Sequence, residues 1–348
     1  MILDNNPRKL LRPIPGHMDS INALKFICAI MVVGIHVHSV FSEYFLHIFR
    51  VAVPIFLFVS GYFLVNSDGT ISISKIKPVI CKIFLLIIMT NCIYIACYEL
   101  IIPPIYKTSY AIIPTILEGN TICFALWYLT AYLECLLVIY LCVRLKRTAV
   151  LPYLALAGYL VGLLCGGYVW LWANSIPKIT YCNWEFNISR NFFTVCLPCV
   201  VFGILLRQFE YKLHALVSRL WILVISLILL LTLEYNILDE PYRDKDLLIF
   251  TVPLALIIFI TALLFPCRFP KMSKMGKKYS TGIYLYHMLF LQIGYVFINT
   301  CNIDAYLCNL PRKYWLYPFV VLFSILSCWI YDKIKCLNLR NIVYCLQK

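Results

Sequence analysis

The chain has 348 residues, 62% of them hydrophobic and 13% charged, and a formal net charge of +14. A mean hydropathy of +0.85 is more apolar than a water-soluble fold of this size can hide. Uncharged runs long enough to cross about 30 Å of hydrocarbon as helices recur along the chain, and the short alternating segments of a membrane barrel do not. The expected fold class is therefore an all-α, polytopic membrane helix bundle.

Ten transmembrane helices are predicted, near residues 20–42, 46–66, 80–102, 121–143, 149–173, 190–206, 217–235, 246–266, 279–300 and 314–332. This divides the chain into a basic lead (1–19), a ten-helix membrane domain (20–335) and a tail (336–348). With both termini on one side, 21 of the 30 Lys and Arg residues fall there and 7 on the other, with Lys25 and Arg50 inside spans. That asymmetry predicts cytoplasmic termini and a multi-pass protein of the plasma (inner) membrane. The positive charge is thus accounted for by topology, and nucleic acid is not an expected partner. No cleavable signal segment is expected, because the basic lead runs into a full-length span. Most of the 17 cysteines lie within spans without paired spacing and read as small apolar residues. Cys182, Cys301 and Cys308 fall in outer loops.

In chain order, a helix cap is expected at Asp19 or Ser20. The first span then carries Lys25 and His36 eleven residues apart, on one face and about 16 Å apart along the axis. His38 points away from that face. A turn at 43–46 makes the first two spans an antiparallel hairpin, which puts Arg50 at a depth similar to that of His36. Arg50 either joins His36 or snorkels to the interface. Pro54 predicts a kink, and Ser60 and Gly61 predict close helix contact. The third span ends at Glu99 and Pro103-Pro104. The fourth starts with Trp127 and Tyr128, which either form an interfacial belt or line a pocket, and it carries Glu134 at mid-depth. A carboxyl there is protonated or paired, with Arg50, Lys25 or a histidine as candidate partners. Gly158, Gly162, Gly166 and Gly167 in the fifth span predict close packing. The acidic loop 234–246 either borders an acceptor site or is solvated. In the ninth span Ser280 and His287 share a face, with His287 expected in the inner half. Six histidines so isolated in sequence do not suggest a metal site, and no metal or bound cofactor is expected.

Four stretches together resemble the acyltransferase 3 family of integral membrane acyltransferases. They are Asn22, Lys25 and His36 in the first span, the R-x-x-x-P-x-F-x-x-x-S-G-Y pattern from Arg50 to Tyr62, Leu-Trp-Tyr-Leu at 126–129, and G-x-x-x-S-x-x-I-Y-L-x-H from Gly276 to His287. Lys25 stands where arginine is common in the family, Asn22 where aspartate is, and Ala125 where a histidine often precedes the Leu-Trp-Tyr-Leu motif. The resemblance implies transfer of an acyl group, acetyl above all, from cytoplasmic acyl-CoA to a hydroxyl of an envelope glycan, polysaccharide or lipid-linked sugar. His36 is then the expected general base, suited to that job by histidine's ordinary pKa, and helical rise puts Arg50 in its layer and Glu134 just below it, to hold it or the acceptor. Lys25, Ser280 and His287 are then donor-site candidates, with Lys277 and Lys278 at its mouth. Trp127, Tyr128, Ser60 and Tyr284 are pocket candidates. A multi-pass carrier, or an amino-acid-related membrane domain without acyl transfer, is the competing reading, although no inverted repeat is visible.

Overall fold

The computed structural model describes residues 17–37, 39–101, 123–172, 178–181, 184–187, 191–238, 247–301 and 312–346. Expectations for the lead before residue 17, His38, Pro103-Pro104, Cys182, Cys308 and loop 239–246 lie outside the described residues, as does the side chain of Glu99.

Among the described residues, eight helices are long and apolar enough to cross a membrane, and two shorter apolar helices, Phe192–Gln208 and Thr251–Leu264, complete a set of ten. The expected all-α bundle is present. In order these are α1 (His17–His36), α2 (Val40–Phe49) continued by α3 (Ala52–Leu64), α4 (Ile73–Ile101), α5 (Trp127–Arg144), α6 (Leu151–Cys165), α7 (Leu197–Gln208), α8 (Leu220–Ile237), α9 (Thr251–Leu264), α10 (Pro270–Cys301) and α11 (Arg312–Leu346). A π-helical turn, Phe192–Cys196, leads into α7. One antiparallel hairpin of β1 (Lys178–Tyr181) and β2 (Trp184–Asn187) lies between α6 and that turn. The end of the bundle at which α1 begins is termed basal, and the opposite end distal.

The second span differs from its prediction in a way that matters for the site. The turn after α1 lies at Val37–Ser39, not at 43–46, because Ser39 caps α2: its hydroxyl accepts the Ser42 amide at 3.1 Å and the Ser42 hydroxyl accepts the Ser39 amide at 2.7 Å. The helix is then interrupted at Arg50–Val51, which is the kink expected of Pro54, since a proline acts on the carbonyl four residues before it. Pro54 itself falls in the first turn of α3, where a proline is tolerated.

The interior is built from α1, α3, α7 and α10, with α1 packed most extensively on α10 and α3 on α7. Both pairs are close because glycines face backbone. Gly61 lies against the Val200 carbonyl and Gly203 against the Phe58 carbonyl, which locks α3 to α7 from both sides. Gly276 lies against the Asn22 carbonyl and so joins α10 to α1 near their basal ends. Asp19 and Ser20 do not cap α1; they sit inside it as ties, Asp19 accepting the Ser273 hydroxyl at 2.6 Å and Ser20 donating to the Phe265 carbonyl at 2.7 Å. Gly158 packs on the Phe193 carbonyl and Gly162 on Thr194 and Leu247, as the fifth-span glycines predicted. α4, α8 and α11 are peripheral. Phe84, Leu85 and Met89 on α4 and Ile222, Leu229 and Leu233 on α8 are exposed, as side chains facing hydrocarbon should be.

Glu234 belongs to the last turn of α8 rather than to a solvated loop. It is buried and accepts the amides of Ile249 at 2.6 Å and Phe250 at 3.1 Å, together with the Tyr168 hydroxyl. A carboxylate at that point satisfies amides at the start of α9 and suits the positive end of its dipole.

Candidate active site

The site starts from the end of α1. Val32, Ile35 and His36 are its last inward-facing residues, and they meet the α2–α3 break across the Ser39 turn. Arg50 is the C-cap of α2, with its amide donating to the Leu46 carbonyl at 3.1 Å. Its side chain lines one distal chamber together with His36, Pro54, Trp127, Tyr128 and Tyr284. The empty volume of that chamber, open solvent included, is about 640 Å³. The fold therefore brings His36 and Arg50 to one cavity, and Trp127 and Tyr128 line it instead of forming a belt.

His287 is the residue whose position departs most from expectation. Its ring is fully buried beside His36, with centroids 5.2 Å apart and planes 34° from parallel. An inner-half depth follows only if the span begins at residue 279, whereas α10 begins at Pro270. Seventeen positions along the helix carry it about 25 Å, to the level of His36. Nδ1 lies 2.7 Å from the Tyr284 carbonyl. A carbonyl only accepts, so Nδ1 carries the proton and Nε2 keeps its lone pair. Nε2 is buried and makes no hydrogen bond.

Glu134 is not brought to this pair. It lines neither the distal chamber nor the one below it, and its electrostatic neighbour is Cys196.

Below the distal chamber lies an inner one of about 880 Å³, lined by Lys25, Ser60, Phe63, Ser280, Thr281 and others. Ser280 donates to the Gly276 carbonyl at 2.6 Å and Ser60 to the Phe56 carbonyl at 2.9 Å. Val53, Tyr128 and Tyr284 line both chambers. A third cavity of about 1140 Å³ opens at the basal end, lined by His17, Tyr62, Asp68, Lys75 and Arg207, and it shares Phe63 with the inner chamber. α1 runs past all three, from His17 through Lys25 to His36, a rise of about 28 Å. Three cavities thus line up across a membrane thickness.

Arg207, which the charge asymmetry alone makes a boundary cation, lines the basal cavity. It is buried, donates to the Tyr62 hydroxyl at 2.8 Å and is ion-paired with Glu210. Its only sequence signal was its place at the end of an apolar run. Lys75, also in that cavity, donates to the Val65 carbonyl at 2.7 Å. Lys278, expected at the donor mouth, is ion-paired with Asp332 on α11 at 2.7 Å.

A bundle of apolar helices that encloses a histidine and arginine chamber defines an integral membrane protein with an internal polar site. A family model described as an acyltransferase domain, acyltransferase 3, matches residues 18–333. The chain belongs to that family and is a membrane acyltransferase. No curated protein and no solved structure matches the chain.

Proposed function

We propose that this acyltransferase moves a short acyl group, acetyl in the first place, from cytoplasmic acyl-CoA to a hydroxyl of an envelope glycan, polysaccharide or lipid-linked sugar. The observation that carries the reading is the meeting of His36 and Arg50 in a distal chamber stacked above two further cavities that reach the basal end. Acceptor and donor then approach from opposite ends and meet inside the bundle.

In this reading the acceptor hydroxyl enters the distal chamber beside Trp127 and gives its proton to His36. The oxygen attacks the thioester carbonyl, and Arg50 faces the oxyanion that forms. The carbon–sulfur bond breaks, the thiolate takes the proton back from the His36 imidazolium, and an ester and free coenzyme A result. The unbonded Nε2 lone pair of His287 offers the imidazolium an acceptor at the moment it forms. His287 thereby takes the orienting role expected of Glu134, as a positioning residue. Lys25 and Ser280 flank the pantetheine arm, and Lys75 and Arg207 face the phosphates. From Val53 to Tyr62 along α3 is about 14 Å by helical rise, so an arm joining an acyl group at one end to a charged head at the other suits the channel.

The test uses purified protein in nanodiscs with two donors, acetyl-CoA and a truncated acetyl thioester that lacks the nucleotide. Lys25→Ala and Lys75→Ala should raise KM for acetyl-CoA with kcat little changed, the pattern of lost donor binding. They should leave the truncated donor unaffected. Equal effects on both donors would remove these lysines from the donor site. Substrate flux without any loss of thioester would identify a carrier instead.

The cytoplasmic assignment of the basal end follows from the cations gathered there, among them Lys75, Lys77, Lys82, Arg144, Arg147 and Lys274. Reporter fusions after Lys348 and within loop 239–246 should report opposite sides of the membrane. The same side for both would overturn this topology.

A further inference from the structure

Three residues belong to both chambers of the site: Val53 on α3, Tyr128 on α5 and Tyr284 on α10. The two tyrosines meet edge to face, with ring centroids 5.4 Å apart and planes at 68°. Each is held differently. The Tyr284 hydroxyl donates to the Ala125 carbonyl at 3.0 Å, which fixes that ring from the α5 side. The Tyr128 phenol bonds to the Ser60 side chain on α3, and its ring rests on Tyr132 one helical turn below, with centroids 6.0 Å apart and planes at 19°. Edge-to-face pairs of this kind are favoured by about 0.5–1.5 kcal/mol, a contact that a ring rotation can break and restore.

His36 and Arg50 lie above the pair and Lys25 and Ser280 below it. Any acyl group carried up from below must pass between these rings, or sit between them, before an oxygen activated at His36 can reach its carbonyl. We propose that Tyr128 and Tyr284, with Val53 at their side, form a sieve that sets which acyl groups this enzyme transfers, admitting two-carbon groups and rejecting longer chains. The inference rests on the donor and acceptor approaching from opposite ends, as proposed above.

The reasoning is one of volume. A two-carbon group adds little to the width of the arm that carries it, and a small rotation of Tyr128 about its side-chain bonds lets it through. Each added methylene must find room between a pinned ring, a stacked ring and a branched side chain, in an interior packed without slack. Discrimination by pocket shape is worth about 10-fold or more per methylene, so a two-methylene extension should lower transfer about 100-fold. The phenol oxygen of Tyr128 plays no part in this argument. The ring does.

The experiment measures transfer to one acceptor from acetyl, propionyl and butyryl donors, for the unaltered protein and for Tyr128→Phe, Tyr128→Ala, Val53→Ala and Val53→Phe. The unaltered protein and Tyr128→Phe should both prefer acetyl over butyryl by about 100-fold. Tyr128→Ala should bring the two donors to within about threefold of each other, chiefly by raising butyryl transfer. Val53→Ala should move the ratio the same way with a smaller packing change, and it carries the test if Tyr128→Ala does not fold. Val53→Phe should suppress even acetyl transfer while acetyl-CoA binding persists. An active Tyr128→Ala or Val53→Ala protein with an unchanged acetyl to butyryl ratio would overturn the sieve while leaving the transfer reaction in place. A Tyr128→Phe protein as permissive as Tyr128→Ala would also overturn it. Failure of the unaltered protein to transfer any acyl group would instead overturn the proposed function.

Discussion

Alanine at position 36 should lower acyl transfer by at least about 100-fold, the lower end for loss of a general base, while the protein inserts and folds normally. His36 is the last residue of α1 and is only partly buried, so truncating its ring removes little packing. What it removes is the imidazole in the chamber that Arg50 also lines. His287→Ala is the informative companion, because its ring is wholly buried and sits beside His36. If His287 positions the base, its loss should lower kcat, shift the pH profile of kcat/KM and leave KM for the donor near normal. His287→Gln, which retains a donor and an acceptor, should recover part of the rate. A well-expressed His36→Ala protein that still acylates its acceptor at a normal rate would overturn the mechanism. So would a His287→Ala protein in which only donor KM changes, since that would return His287 to the donor site.

The second large effect is expected from one carbon atom. Gly276→Ala places a Cβ on top of the Asn22 carbonyl oxygen, a backbone atom of α1 that has nowhere to go. Flexible side chains can yield to such an intrusion, but two helix backbones must separate. Overpacking of this kind costs about 1–3 kcal/mol, and more where relaxation is blocked. α1 and α10 run parallel from the Asn22–Gly276 contact to the His36–His287 contact, so a displacement at the basal end is carried to the histidines. The variant should lose its fold at a lower temperature in a detergent melt, and the surviving protein should transfer slowly. Gly294→Ala, where the new carbon meets only Phe319 and Leu316 side-chain atoms at 3.3 Å and beyond, should behave almost as the unaltered protein. Equal melting and activity for the two variants would show that the α1–α10 contact can relax.

Much of this architecture could be read from the residues. The apolar runs fixed the helices, because hydrocarbon thickness sets a length that composition must meet. The proximity of His36 and Arg50 was legible too, since a short connection forces neighbouring spans together and helical rise fixes their heights. Height alone does not give rotation, and Glu134 shows the consequence. Tyr128 and Tyr132 are one turn apart and both line the inner chamber, whereas Glu134, two residues beyond Tyr132, is turned about 200° from it. That arithmetic was available from the sequence and would have pointed Glu134 away from the chambers. Arg207 and the Tyr62 that binds it lie 145 positions apart, and no local pattern joins them. The break at Arg50–Val51 was legible in Pro54, because a proline interrupts a helix at the carbonyl four residues before it.

The parallel partnership of α1 and α10 also sets a timetable. α1 begins at His17 and α10 at Pro270, and a ribosome adding about 5–20 residues per second needs roughly 10–50 s to bridge that interval. For all of that time the face of α1 that carries Asn22, Lys25 and His36 is inserted without the helix that will cover it. Biogenesis of this enzyme therefore includes a waiting stage in which this face of α1 has not yet met α10, a stage that pulse-labelling with timed protease protection can measure directly.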